Sequence, residues 1–342
     1  APAIHEGCVR SALGYVELAE RAHGPIPRGA GPAYVWGEAL DALATAAPEA
    51  RIVNLETAVT RSEDWEPKGI NYRMSPDHVD VLTAARIDCC VLANNHVLDW
   101  GRVGLDDTLA TLADAGIRAA GAGPDAATAA EPAAIPLDDG GRILVFAWGH
   151  ASSGIPRHWA AGADRPGVNL LPDLGANRVQ AIADGIRARR GPGDVVVASI
   201  HWGGNWGYEV AAAHRAFARG LVRDAGVDVV HGHSSHHPRG IELCAGRPIL
   251  YGCGDFINDY EGIGAHGELR DDLAVMYLAE IDRDTRGPAR LVLEPFRIRR
   301  FRLERASPAD RAWLRDELDR ESARLGAGVT DATAGRLAVS PR

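Results

Sequence analysis

Six short, almost uninterrupted apolar runs constrain the fold of this chain more than any other feature of its sequence. The runs cover residues 51–56, 87–94, 142–148, 194–202, 227–232 and 248–256. A strand that is covered on both faces reads as such a run, whereas a half-exposed strand alternates apolar and polar residues. The runs therefore predict buried strands in a largely parallel sheet.

Segments with the spacing of helices lie between several of these runs. The clearest cover 106–116, 176–191 and 214–226, and each ends on a glycine, which commonly caps a helix. Because strands that alternate with helices form parallel sheets with helices on their faces, the pattern predicts an α/β fold.

The carboxyl-terminal part of the chain follows a different pattern. Residues 271–282 and 289–306 are typical of antiparallel strands, and 308–326 of a final, charged amphipathic helix. No repeat, low-complexity tract or linker separates this part from the rest of the sequence. We therefore expect a single domain over residues 1–342, with its core at about 50–305.

The composition argues against several classes of function. The 342 residues carry a formal net charge of −9, which gives no basic surface for nucleic acid. No apolar run approaches the roughly 20 residues of a membrane-spanning helix, and the first residues lack the pattern of a secretory leader. The five cysteines do not suggest a disulfide framework. We expect a cytoplasmic protein that acts on a small molecule or a peptide, and the oligomeric state stays open.

Side chains that bind metal or transfer protons follow five of the apolar runs. They are Asn54 and Glu56, then Asn94, Asn95 and His96, then His201, then His231, His233, His236 and His237, and lastly Asp255. Ligands of open α/β sheets bind beyond the carboxyl ends of the strands, so we expect these side chains to share one site. Imidazole, carboxylate and amide groups together suit one or two divalent ions, such as Mn, Zn, Fe or Ca.

Four motifs, in a fixed order, resemble a known family. They are ANNHVLDWG (93–101), IHWG (200–203), HGHSSHH followed by GIE (231–242), and YGCGDF (251–256). Together they are similar to the CapA, or poly-γ-glutamate synthesis, branch of the calcineurin-like metallophosphoesterases, over residues 54–259. The resemblance implies a four-layer α/β/β/α sandwich with a dinuclear metal site at one edge of the paired sheets.

Carried over residue by residue, the resemblance implies metal ligands and catalytic residues. The ligand positions are Glu56, Asn95, His201, His233 and His236. His96 matches the histidine that acts on the substrate or the leaving group. Asp99 has the spacing of a carboxylate that orients His96, and solvation at a helix N-terminus is an alternative for it.

Further polar and aromatic residues beside these motifs are candidates for substrate binding. They are Asn94, Trp202, Trp206, His231, Ser234, Ser235 and Asp255. For Trp202 and Trp206, a role in packing is an equal alternative. For His231, the alternative is a hydrogen bond that orients a ligand.

The chain departs from the family pattern in two places. Family members open with a strand that ends in Gly-Asp, and no such strand precedes residue 50. We therefore expect the first strand to be missing or altered. The histidine cluster reads GHSSHH where the family has Gly-His-His-Pro-His, so Ser234 and Ser235 replace a histidine and a proline. The first departure bears on whether one or two ions bind, and the second on which imidazoles bind metal.

Three hypotheses of function follow. The first is metal-dependent hydrolysis, in which metal-activated water attacks a phosphoester or related substrate, linked to poly-γ-glutamate or capsule biosynthesis. The second is peptide chemistry on the same fold, either amide hydrolysis or proton transfer at a Cα. The third is a non-catalytic partner in polymer assembly.

Overall fold

Helices and strands alternate along most of the chain in the computed structural model, which describes residues 9–263, 267–285 and 287–342. The α/β class expected from the apolar runs is therefore confirmed. The helices are α1 (Ala12–His23), α2 (Ala39–Ala46), α3 (Asp80–Ala84), α4 (Gly101–Asp114), α5 (Ala126–Ala130), α6 (Ala176–Arg189), α7 (Ala212–Arg223) and α8 (Pro308–Ala323). The strands are β1 (Ile52–Asn54), β2 (Ala58–Val59), β3 (Arg73–Met74), β4 (Cys89–Val91), β5 (Arg118–Ala120), β6 (Ala122–Gly123), β7 (Ala133–Pro136), β8 (Arg142–His150), β9 (Gly167–Val168), β10 (Leu170–Leu171), β11 (Val195–His201), β12 (Val229–His233), β13 (Ile241–Cys244), β14 (Arg247–Leu250), β15 (Leu273–Glu280), β16 (Arg290–Ile298), β17 (Leu303–Arg305), β18 (Ala327–Asp331) and β19 (Leu337–Pro341).

The largest sheet has seven strands in the order β10-β8-β11-β12-β14-β13, with β7 also paired to β8. Its central strands β8, β11, β12 and β14 are parallel, whereas β7 and β13 pair in antiparallel fashion. Strand β11 is buried along its whole length, as its apolar run predicts. The runs at 142–148, 194–202 and 227–232 thus form three neighbouring strands.

Only the beginning of the sixth run is a strand. β14 ends at Leu250, and residues 251–256 leave the sheet. Gly254 has a φ of +74°, in the left-handed region that glycine favours, and a Cβ there would lie 2.7 Å from the backbone of Pro238. The prediction of one strand over 248–256 is therefore wrong, because the chain turns there against the loop that carries the histidine cluster.

A second, smaller sheet of β1, β4 and β5 packs against the first. All three strands are parallel. Alternate residues of β4 face opposite ways: Val91 packs toward Val145 and Val197 of the large sheet, and Cys90 packs toward α2, α3 and α4. Helices α6 and α7 cover the outer face of the large sheet. This packing brings the carboxyl ends of β1, β4, β11 and β12 together.

The carboxyl-terminal part forms an antiparallel sheet in the order β15-β16-β19-β18, with β17 paired to β16. Strands β15 and β16 confirm the antiparallel strands predicted at 271–282 and 289–306. Helix α8 confirms the predicted final helix, and Leu314 and Leu318 pack it on this sheet. Strands β18 and β19, which follow α8, were not predicted, and neither were helices α1 and α2, which precede β1. In the described ranges, no helix is both long and apolar enough to span a membrane.

Candidate functional site

The register of two central strands places histidines side by side. β11 and β12 are parallel, and their register pairs His201 with His233 and Ser199 with His231. Residues two apart in a strand lie on the same face. These four side chains therefore form one block at the carboxyl ends of the two strands.

A chain of hydrogen-bonding groups runs through this block. His201 Nδ1 lies 2.8 Å from His233 Nδ1, and Ser199 Oγ lies 2.9 Å from His233 Nε2 and 3.0 Å from His231 Nδ1. Burial lowers the pKa of His201 and of His233 well below the ordinary value, and lowers the pKa of His231 to about 4. All three imidazoles are therefore neutral at pH 7, which is the form that binds metal ions.

His201 also reaches the ends of β1 and β4. Its Nε2 lies 2.9 Å from Asn95 Oδ1 and 3.7 Å from Glu56 Oε1. Asn95 follows β4 and Glu56 follows β1, so the carboxyl ends of three strands supply these three atoms. Burial, assisted by the charge of Asp255, raises the pKa of Glu56 to about 7. The carboxyl group is therefore poised between its two protonation states near neutral pH.

These three atoms fit the donor set of one divalent ion. Metal–ligand bonds of about 2.0–2.2 Å, at tetrahedral or right angles, place neighbouring donors about 3–3.6 Å apart, close to the spacings around His201 Nε2. Neutral imidazole, amide oxygen and carboxylate oxygen are all ligands of such ions. No group of three His, Cys, Asp or Glu side chains in the described part of the chain could hold a metal. The three candidate donors at this site therefore include an amide oxygen, that of Asn95, beside the imidazole of His201 and the carboxylate of Glu56.

Two further asparagines hold Glu56 and the loop after β4 in place. Asn54 Nδ2 donates to Glu56 Oε2 at 2.8 Å. Asn94 Nδ2 donates to Asn54 Oδ1 at 3.1 Å and to Leu55 O at 2.8 Å, while Asn94 Oδ1 accepts the N–H of His96 at 3.0 Å. Asn94 was predicted to bind substrate, but its amide is fully buried and used within the protein.

His96 and Asp99 lie together beside a lysine. His96 Nδ1 lies 2.6 Å from Asp99 Oδ2, and the ring of Tyr72 stacks on the imidazole at 3.8 Å. Lys68 Nζ lies 2.5 Å from Asp99 Oδ1 and donates to Asn95 O at 2.5 Å. Asp99 thus has the contact that orients His96. Burial lowers the pKa of His96, although the Asp99 carboxylate opposes this shift.

Lys68 was not predicted from the sequence. It lies in the loop between β2 and β3, and no motif surrounds it. One signal was available: Lys68 is the only lysine in the chain, and every other Lys or Arg position is an arginine. Ser199, inside β11, gave no signal at all, because a single serine in a buried strand is common.

His236 pairs with a carboxylate rather than with another histidine. Its Nδ1 lies 3.0 Å from Asp255 Oδ1, and the ring of Trp206 lies 5.2 Å from its own. Burial disfavours the charged imidazole, but the hydrogen bond to Asp255 and its charge outweigh this and raise the pKa of His236 to about 8. The charges of His236 and Glu56 also act on each other's pKa. The His236–Asp255 pair therefore belongs to the same site.

Three residues predicted to bind substrate make contacts within the protein. Ser234 Oγ donates to Gly203 O at 3.0 Å, and Ser235 Oγ donates to His237 O at 2.9 Å. Trp202 is only 1% exposed, which agrees with the packing role given as its alternative. Trp206 is 36% exposed and keeps an open face.

A cavity of about 1370 Å³ opens onto the site. The polar residues at the end of it nearest the site include Asn54, Glu56, His231, His233, Ser234, Ser235, His236 and Asp255. Much of the remaining wall is apolar and includes residues of β1 and β15. An enclosed apolar space with a few convergent polar groups is typical of a binding site.

A family model matches most of the chain. It is described as "Bacterial capsule synthesis protein PGA_cap", and the match covers residues 11–260. This range contains all the residues of the site described above.

Several curated proteins are similar to the chain. A probable polyglutamine synthesis accessory protein of Mycobacterium tuberculosis is 45% identical over 342 residues, which are 99% of this chain and 90% of the relative. The PGA biosynthesis protein CapA of Bacillus subtilis is 28% identical over 208 residues, 60% of this chain and 52% of the relative. The capsule biosynthesis protein CapA of Bacillus anthracis is 26% identical over 197 residues, 56% of this chain and 45% of the relative.

Proposed function

The chain belongs to the bacterial capsule synthesis protein family PGA_cap, and from this premise we propose that it is a metal-dependent hydrolase in the production of poly-γ-glutamate or a related capsule polymer. The observation that carries the proposal is the convergence of His201 Nε2, Asn95 Oδ1 and Glu56 Oε1 from three strand ends. The neutral state of His201 adds to it, since only an unprotonated imidazole ligates a metal.

His201, Asn95 and Glu56 would hold one divalent ion, with Mn, Zn, Fe and Ca as the candidates. Such an ion polarises a substrate oxygen and makes water a better nucleophile at neutral pH. His233 lies against His201 Nδ1 and would orient the ring that ligates. The other predicted ligand, His236, is engaged by Asp255, so the geometry supports one ion better than two.

His96 would handle a proton during the reaction. Asp99 Oδ2 accepts the Nδ1 proton of His96, which leaves Nε2 without a proton while the ring is neutral. That nitrogen can accept a proton from water or a hydrogen bond from a substrate, as a general base does. His96 thus starts the cycle as a base and can return the proton to a leaving group.

The charge of His236 favours an anionic substrate. With a pKa of about 8, His236 is mostly protonated at pH 7, and it borders the polar end of the cavity. A cation at a partly enclosed site attracts phosphate or carboxylate groups. Because the Asp255 carboxylate lies 3.0 Å from His236 Nδ1 and offsets part of this charge, His236 would contribute mainly a hydrogen bond to a phosphate or carboxylate oxygen.

The packing of the sheets supports the four-layer α/β/β/α arrangement that we propose for this chain. Helices α6 and α7 lie outside the seven-stranded sheet, and α2, α3 and α4 lie outside the three-stranded sheet. The two sheets face each other through the cluster around Val91 and Val145. In such an arrangement, a metal site at one edge of the paired sheets receives side chains from both.

The experiment measures turnover of a chromogenic phosphomonoester, a phosphodiester and a γ-glutamyl anilide in the presence of Mn²⁺. We expect phosphoester turnover that falls at least 100-fold in His201→Ala, on the order of what removal of a key catalytic contact costs. The matched control is His158→Ala, which removes an exposed histidine that does not line the cavity and should retain full activity. Equal phosphoester turnover by wild type and His201→Ala would contradict the proposal, and turnover of the anilide alone would replace it with peptide chemistry.

A further inference from the structure

The glycine-rich loop GGNWG (203–207), which follows β11, lies over the loop that carries the histidine cluster. β11 and β12 are parallel neighbours, so the segments that follow them leave the sheet side by side. Four consecutive backbone carbonyls of the glycine-rich loop accept hydrogen bonds from residues 234–239. The pairs are Ser234 Oγ to Gly203 O at 3.0 Å, Arg239 Nη2 to Gly204 O at 2.7 Å, His236 N to Asn205 O at 3.0 Å, and Arg239 Nη2 to Trp206 O at 3.4 Å.

Arg239, which donates two of these bonds, is a buried cation. Its side chain belongs to a residue that is only 5% exposed. Within the described residues no carboxylate pairs with it, and the acceptors of its guanidinium group are the two carbonyls of the glycine-rich loop. A buried charge without hydrogen-bond partners is costly. Movement of the glycine-rich loop away from Arg239 is therefore disfavoured.

The glycine-rich loop places the side-chain amide of Asn205 beside His236. Asn205 Nδ2 lies 3.3 Å from His236 Nε2, while His236 Nδ1 is engaged by Asp255 at 3.0 Å. Nε2 is therefore the nitrogen of His236 that a substrate can reach. Two nitrogens at this spacing can both lie about 2.9 Å from one oxygen, the ordinary hydrogen-bond distance. Asn205 is exposed, so its amide can turn toward a ligand.

We propose that Asn205 donates a hydrogen bond to the same substrate oxygen as His236, and that Arg239 is a positioning residue that holds Asn205 there. This role rests on the proposed function, in which His236 binds a phosphate or carboxylate oxygen. Such an oxygen accepts two hydrogen bonds, and bonds to a charged acceptor are stronger than bonds to a neutral one. Asn205 would thus favour anionic over neutral substrates.

Titration of the metal-free protein with inorganic phosphate and with glutarate, followed through NMR amide resonances, measures the affinity for each kind of anion. We expect Asn205→Ala to weaken binding of the tighter ligand about tenfold, on the order of one hydrogen bond to a charged group. Asn205→Asp should weaken it further, because its carboxylate repels the anion. The matched control Asn177→Ala removes an exposed asparagine of α6 and should bind as the wild type does. The ligand that binds more tightly identifies the charged group.

A double-mutant cycle separates positioning by Arg239 from a general effect on the fold. Arg239→Met removes the donors to the glycine-rich loop and should weaken anion binding about as much as Asn205→Ala does. Arg239→Lys keeps a charged donor and should recover most of the affinity. In the Asn205→Ala background, Arg239→Met should have little further effect, because Arg239 acts through Asn205.

Three outcomes would overturn the proposal. The first is the absence of anion binding by the wild type. The second is unchanged or tighter binding by Asn205→Ala, and tighter binding would show that Asn205 covers His236 Nε2 instead. The third is an effect of Arg239→Met that persists undiminished in the Asn205→Ala background. None of these readouts uses metal or turnover, so failure of the proposed hydrolase would be recognised separately.

Discussion

Asp99 contacts the ammonium group of a lysine, the imidazole of His96 and the backbone of a loop. It contacts Lys68 Nζ and His96 Nδ1, and it accepts the N–H of Tyr72 at 2.7 Å. A fully buried carboxylate is tolerated only when it is paired and hydrogen-bonded. Lys68 also donates to Asn95 O. One ammonium group thus links the orienting carboxylate to the backbone of a proposed metal ligand.

Replacement of Lys68 is expected to affect stability and activity together. Lys68→Met leaves a buried charge without its cation, which costs about 3–5 kcal/mol, although part of this is offset because Lys68 is 25% exposed and Asp99 keeps two donors. Lys68→Arg keeps the charge but replaces a compact ammonium with a larger planar group, so it should lose less stability while the turnover number still falls. Urea unfolding and steady-state kinetics measure the two effects. Full activity in Lys68→Met would show that the link is dispensable.

The sequence indicated which residues end the strands, but not what each of them contacts. The apolar run followed by a polar residue marks a strand end in any α/β protein, so His201, Asn95 and Glu56 could be predicted to share a site. Their hydrogen bonds depend on strand register, which follows from packing over the whole sheet. For the same reason, the hydrogen bonds of Ser234 and Ser235 to backbone oxygens could not be predicted.

Helix α8 shows how local sequence determines the start of an element. Ser307 is its N-cap, and Ser307 Oγ accepts the N–H of Asp310 at 3.1 Å. Pro308 lies in the first turn, where a backbone N–H would have no partner within the helix. The helix was therefore predictable at its first residue. Helices α1 and α2 were not predicted. Ser11 is the N-cap of α1 but makes no capping hydrogen bond through its side chain, and α2 follows Glu38, which is not among the preferred N-cap residues.

Removal of this cap should destabilise the protein by a modest amount. Ser307→Ala leaves the N–H of Asp310 without its acceptor, and we expect the free energy of unfolding to fall by about 1 kcal/mol. Ser307→Asp keeps an oxygen at the same place and should restore most of the loss. Equilibrium unfolding in urea measures both variants. An unchanged value in Ser307→Ala would mean that packing of α8 alone determines its start.

Across the whole molecule, burial also keeps histidines other than the proposed metal ligands neutral. Burial lowers the pKa of His214 and of His237 to about 4. The ring of His214 stacks on Trp202 at 5.0 Å. These histidines become protonated more easily in the unfolded chain, where the pKa is about 6.5. Their contribution to stability is therefore present above pH 6.5 and is lost as the pH falls toward 4.

The pH dependence of unfolding tests this directly. Between pH 7 and pH 5, each such histidine should lower the free energy of unfolding by about 2 kcal/mol. His214→Phe keeps a ring against Trp202 but removes the titrating group, so its loss over this interval should be smaller than that of the wild type by about that amount. Urea unfolding at both pH values gives the difference. An equal loss in the two proteins would rule out a depressed pKa at His214.

The α/β class of the fold could be predicted from the sequence, but the arrangement of its strands into sheets could not. Apolar runs and helical spacing indicate α/β, and the motif order indicates the family, and both are confirmed. The separation of the strands into three-stranded, seven-stranded and five-stranded sheets depends on which edges meet, and no local pattern encodes that. Strand β19 shows this, since it follows α8 and β18 in the sequence but pairs with β16.

Calorimetric titration of the protein with Mn²⁺ measures whether His201, Asn95 and Glu56 bind a metal ion. We expect saturable binding with a stoichiometry near one, abolished in His201→Ala, weakened at least tenfold in Asn95→Ala, and unchanged in His158→Ala, an exposed control outside the cavity. Binding that is equally strong in wild type and His201→Ala, or no binding by the wild type, would contradict it.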